Sequence, residues 1–136
     1  MWSVYNYDNF PIVDVKFNGK LEEDNQYYNF IRQWTILYQR KQKFKFIFDT
    51  TNCGYVNIKY AFMMPNFIQK LKKLPVQYLE KSVIIYNNSW IKYLLVLIFK
   101  IQKPVAPVYL ISKDNYTEDI FNNLERIKEN IIEILP

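Results

Sequence analysis

The sequence predicts an α/β fold: one domain, residues 1–136, with a mostly parallel five-stranded sheet, an antiparallel N-terminal hairpin and four helices. Three observations predict it. Short β-branched and aromatic runs alternate with amphipathic stretches, as in a sheet built from β-α-β crossovers. Half of the 136 residues are apolar and 18% are aromatic, enough to build a core and too many for a disordered chain. No linker, repeat or low-complexity segment divides the chain, so one domain accounts for all of it.

The elements follow in order. "WSVYNYDNFPIVDVKFN" alternates apolar and polar residues on both sides of Asp8-Asn9, the pattern of a half-buried hairpin, and Asn18-Gly19 then punctuates the chain. From Leu21 to Gln42, Tyr27, Phe30, Ile31, Trp34, Leu37 and Tyr38 recur at helical spacing. Acidic Glu22, Glu23 and Asp24 precede that stripe and basic Arg40 and Lys41 follow it, which suits a helix dipole. "KFKFIFDTT" is a strand, and a loop runs through Asn52-Cys53-Gly54. A second helix spans Ile58 to Leu74, with Pro65 expected to break or kink it. "KSVIIYNN" is a buried strand. A third helix starts at Asn88 or Ser89 and stops before Pro104. "VAPVYLIS" is a strand that Pro107 places towards a sheet edge. "TEDIFNNLERIKENIIEIL" closes the chain as a helix with Ile120, Phe121, Leu124, Ile127, Ile131 and Ile134 on one face.

Composition excludes several kinds of chemistry. The chain has no histidine, and Cys53 is its single cysteine, so His-activated nucleophiles, His or Cys zinc sites and intrachain disulfides are ruled out. Asp49, Thr50, Thr51 and Cys53 cluster where open α/β sheets bind ligands. They lack the further carboxylates or Gly-rich loop that metal or phosphoryl chemistry needs, so Asp49 reads as a loop cap and the protein as non-enzymatic, with no cofactor. A lone cysteine fits a reducing compartment, and the N-terminus has no secretory character, so the expected location is cytoplasmic, or peripheral at membranes.

The segment from Phe46 to Ser112 resembles the CRAL-TRIO (Sec14-like) lipid-binding domain and the related STAS domain, which share a β-α-β-α-β-α order. "FIFDTTNCGY" is similar to the family's strand ending in Asp before a loop. "LPVQYLEKSVIIYNNSW" is similar to its Pro-led turn and strand ending in Asn, and "WIKYLLVLIFKIQKPVAPVYLIS" to its bulky helix and last strand. For lipid-transfer members the resemblance implies that residues 89–103 form part of a movable gate over a lipid cavity. For STAS regulators it implies a phosphorylated Ser or Thr where this chain has Ile58, a departure that removes the switch.

The third helix is where function is expected. Tyr93 to Phe99 are seven consecutive apolar residues, and a helix lying on a doubly covered sheet must turn some of them outward. Trp90 to Ile101 is 12 residues, against roughly 20 for a membrane span. Trp90, Leu94, Leu97, Ile98 and Ile101 share one face, expected on the sheet; Tyr93, Val96 and Phe99 need another partner. Residues 59–113 carry nine lysines against Glu80 alone. Trp90, Tyr93, Leu95, Val96 and Phe99 are therefore the candidate lipid- or partner-binding residues, and Lys92, Lys100, Lys103, Lys72 and Lys73 the candidate headgroup or anion contacts. Two partner classes stay open: a phospholipid or anionic membrane surface, and a homodimer or protein partner. No nucleic-acid-binding signature is present, and none is expected to bind.

Overall fold

The computed structural model describes all 136 residues. Its elements run β1 (Ser3–Asn6), β2 (Ile12–Phe17), β3 (Gly19–Leu21), α1 (Asp24–Leu37), β4 (Phe44–Asp49), β5 (Cys53–Val56), α2 (Lys59–Lys72), β6 (Leu79–Tyr86), α3 (Ser89–Ile101), β7 (Val108–Ser112), α4 (Ile120–Asn123) and β8 (Ile131–Ile134). Six strands form one mixed sheet in the order β1-β2-β4-β6-β7-β8, and β3 pairs with β5 in a small parallel ribbon. The inner pairings β2-β4, β4-β6 and β6-β7 are parallel; the two edge pairings, β1-β2 and β7-β8, are antiparallel.

The inner strands follow one another across the sheet in chain order. Right-handed crossovers that all step in the same direction must put their helices on the same face. Accordingly α1, α2 and α3 share one apolar core with alternate residues of β2 (Val13, Val15, Phe17) and β4 (Phe44, Phe46, Phe48). Aromatic rings lock this layer: Trp34 packs edge-on against Phe46 at 4.9 Å and against Phe67 at 5.2 Å, and Tyr27 stacks on Tyr60 at 5.4 Å. The opposite face of β6 and β7, with Val83, Ile85 and Ile111, is covered by Ile120 and Leu124 of the C-terminal segment.

Helix α1 carries its stripe as expected, with Tyr27, Phe30, Trp34 and Leu37 buried. It begins later than the pattern suggested, because Gln26 Oε1 accepts the Glu22 and Glu23 N–H groups and fixes the entry there. Helix α2 runs unbroken through Pro65, against the expectation of a break; the ring is buried, so core packing offsets the lost N–H bond. The ribbon of β3 and β5 has no periodicity signal. A Cβ on Gly54 would stand 3.2 Å from the Gly19 backbone, so the absence of a side chain permits this close approach.

The largest correction is at the C-terminus. The expected long helix is a single turn at Ile120–Asn123, a 3₁₀ turn at Lys128–Asn130 and then strand β8. Local polar side chains compete with the helix: Asn122 Nδ2 donates to Asp119 Oδ1 at 2.8 Å and Asn123 Nδ2 to Asp119 O at 2.9 Å. The β-branched Ile131, Ile132 and Ile134 instead pair along β7, which would otherwise be a bare edge. The sheet therefore has six strands, not five, and Pro107 lies just ahead of β7, one strand in from the edge.

Candidate functional site

The crossover helices do not seal completely against the sheet. A cavity of about 140 Å³ lies between the sheet and α1, α2 and α3, lined by 26 residues of which 23 are hydrophobic. Ile84 and Val108 belong to its floor; Trp34 comes from α1, Met64 from α2, and Leu95 and Phe99 from α3. The strand pleat explains the floor, since Ser82 and Ile84 point towards the helices while Val83 and Ile85 point away. Helices α2 and α3 pack side by side, and Met64, Leu95 and Phe99 are the lining residues on them that reach solvent. Cys53 of β5 and Val105 ahead of β7 are the other partly exposed aliphatic or thiol side chains of the lining.

Helix α3 is fixed at its start by Asn88, whose Oδ1 accepts the Ile91 N–H at 2.9 Å. Its buried face is Ile91, Leu94 and Ile98. Relative to the expected face this is a turn of about 50° about the helix axis, at 100° per residue. Leu94 and Ile98 are inside as expected. Ile101 is half exposed, at 49%, and Trp90 is 36% exposed, because its indole N–H donates to Val56 O at 3.2 Å and holds the ring across the β5 end.

The five apolar candidates therefore divide. Leu95 and Phe99 line the cavity; Val96 packs at the edge of the core without reaching the cavity. Trp90 and Tyr93 lie outside in a stack with Tyr55, with ring centroids 6.2 Å (Tyr55–Trp90) and 5.8 Å (Trp90–Tyr93) apart. The lysines divide too. Lys72 and Lys73 end α2, and Lys100 and Lys103 lie at the far end of α3, whereas Lys92 sits one turn into α3 with its ammonium 5.6 Å from the Tyr86 ring. Lys92 and Lys100 are about 12 Å apart along the axis, so the five make no single headgroup cluster.

The loop after β4 is held by its own side chains. Asp49 Oδ1 accepts from Thr51 N at 2.9 Å and from Thr51 Oγ1 at 2.6 Å, the capping arrangement expected of Asp49. Thr50 Oγ1 donates to Ile85 O at 2.6 Å. Burial pushes the Cys53 thiol above its ordinary value, partly opposed by the nearby Trp2 indole, so the thiolate is disfavoured at neutral pH. No cluster of His, Cys, Asp and Glu is placed to hold a metal ion.

Sequence reasoning missed Ser82 and most of the cavity lining. Ser82 is 2% exposed and lines the cavity. Ser82 follows Glu80 and Lys81 and precedes Val83-Ile84-Ile85, so in sequence it reads as a polar residue flanking the buried run and gives no signal. No helix is long and apolar enough to cross a membrane. No protein-family model, curated protein or solved structure matches the chain.

Proposed function

We propose that this chain is a non-catalytic binding domain that holds an apolar ligand between its sheet and its helices, with α3 as a wall and the α2–α3 seam as the entrance. The observation that carries this reading is the cavity itself, apolar on nearly every side and bordered by Leu95 and Phe99 of α3. An apolar cavity of about 150 Å³ stays dry and takes a benzene-sized molecule, so a void of this kind is a binding space rather than a water site. The chain-order sheet with its crossover helices on one face supports the CRAL-TRIO or STAS resemblance, in which the helix at residues 89–103 borders the ligand. In its closed form the cavity accommodates a ring or a short alkyl segment. Two long acyl chains would require α2 and α3 to part.

A second reading, a protein-interaction or homodimer module, is favoured by one specific observation. Tyr55 and Tyr93, 52% and 53% exposed, flank Trp90 in a stack on the outer surface, and Phe62 is exposed as well. Aromatic surfaces of this kind are common at interfaces. Native mass spectrometry of gently purified protein separates the two. A monomer with a bound small apolar molecule supports the cavity reading; a ligand-free homodimer overturns it in favour of the outer surface.

A further inference from the structure

Resting on the cavity reading above, we propose that the ligand's buried part is uncharged and carries one hydrogen-bonding oxygen, held by Ser82 Oγ. No charged side chain lines the cavity. A carboxylate or phosphate placed there would lose its hydration without gaining a partner, which an apolar site does not tolerate. The chemistry of the lining therefore selects neutral molecules.

The lining hydroxyls are accounted for one by one. Thr50 Oγ1 donates to Ile85 O, Tyr60 Oη to Asp24 Oδ1 at 2.9 Å, and Tyr27 Oη to Met64 Sδ at 3.5 Å. Ser82 Oγ has no partner in the protein. It is also not among the buried polar atoms sealed from contact, unlike the indole nitrogens of Trp2 and Trp34, so it opens onto the cavity. Its position is well fixed: Ser82 pairs with Phe46 on one side and Val108 on the other, in the middle of the sheet. Buried polar groups in folded proteins are almost always hydrogen-bonded. Water is a poor solution here, because a buried water needs two to four polar partners and Ser82 is the one lining hydroxyl without a partner in the protein. A ligand hydroxyl, ether or carbonyl oxygen on an apolar frame satisfies Ser82 and fills the void together.

The test uses three ring compounds of similar size, phenol, toluene and benzoate, titrated into isotopically labelled full-length protein while the Ile84 and Val108 methyl resonances are followed by NMR. Phenol and toluene bind and benzoate does not. Ser82→Ala weakens phenol by roughly tenfold to a hundredfold and leaves toluene unchanged, since the phenol hydroxyl is then buried without a partner. Ser82→Cys, which keeps the side-chain size, is the second variant and gives a loss in the same direction; far-UV circular dichroism checks that both are folded. Equal phenol affinity in wild type and Ser82→Ala overturns the role of Ser82 while toluene binding preserves the cavity reading. Benzoate binding as tightly as phenol overturns the selection for neutral ligands. Failure of both phenol and toluene to bind removes the cavity reading and this inference with it.

Discussion

Leu94 and Tyr93 are neighbours on α3 with opposite surroundings, and substituting each by Ala measures how that helix is partitioned. Leu94 is 4% exposed and borders the cavity, whereas Tyr93 is 53% exposed in the outer stack. Leu→Ala in a core destabilises by roughly 3–5 kcal/mol, towards the upper end where the residual void is large, and here the new space merges with a void already present. At about 2.1 cal/mol/K per residue, 136 residues give an unfolding entropy of about 0.29 kcal/mol/K. Leu94→Ala should therefore lower Tm by roughly 10–17 °C. Tyr93→Ala loses only a half-solvated stack and should lower it by no more than about 3 °C. Ligand linkage supplies the second half of the test. Free toluene at ten times the Kd of each protein stabilises by about 1.4 kcal/mol, a rise of about 5 °C in wild type and in Leu94→Ala alike. Calorimetric melts with and without toluene read all four quantities. A fall below about 3 °C for Leu94→Ala, or no toluene shift in either protein, would refute the placement of the cavity beneath α3.

Two further outcomes rest on titrating groups. Burial raises the Asp14 carboxyl above its ordinary 3.8, with Asn9 and Lys16 partly opposing it, so the fold prefers the protonated form. Stability from this group is present below 3.8 and is lost as pH rises through the folded value; Asp14→Asn should raise Tm at pH 7 and leave it unchanged at pH 3, and an equal shift at both would refute the burial argument. Cys53 lines the cavity with its thiol pKa raised by burial, so at pH 8 it should react with a disulfide reagent at least about tenfold more slowly than glutathione. Saturating toluene should slow it further, and a rate indifferent to toluene would separate Cys53 from the ligand space.

Where one element had one environment, its pattern was readable. The stripe of α1 and the Phe44-Phe46-Phe48 alternation of β4 each face a single layer, and periodicity alone assigns them. The C-terminal segment misled because Ile120, Leu124, Ile127 and Ile131 all turn inward at spacings a helix would use, yet they do so across a turn and a strand. Inward-facing residues fix burial, and the backbone conformation was decided by Asn and Asp side chains and by the bare edge of β7. The cavity was illegible for a different reason. A void depends on how three helices fail to close on a sheet, and the apolar residues around it read in sequence as ordinary core. Ser82 was illegible as well, since beside Lys81 and ahead of Val83-Ile84-Ile85 it reads as a polar flank of the strand, and only the pleat of β6 turns it inward.

Helix α3 is apolar around its whole circumference because several surroundings share it. Ile91, Leu94 and Ile98 lie against the sheet, Leu95 and Phe99 border the cavity beside α2, and Val96 and Leu97 are half-buried at the margins of the core. Only Trp90, Tyr93 and Ile101 turn substantially to solvent, and two of these are bound into the stack with Tyr55. Most of the apolar surface is thus used within the chain, and a membrane or partner has a narrow aromatic patch to meet rather than a bare helix. A helix whose second side faces empty space would gain stability from an apolar molecule that filled it, so under the proposed reading ligand binding and α3 packing are one equilibrium, and melts with and without toluene test both.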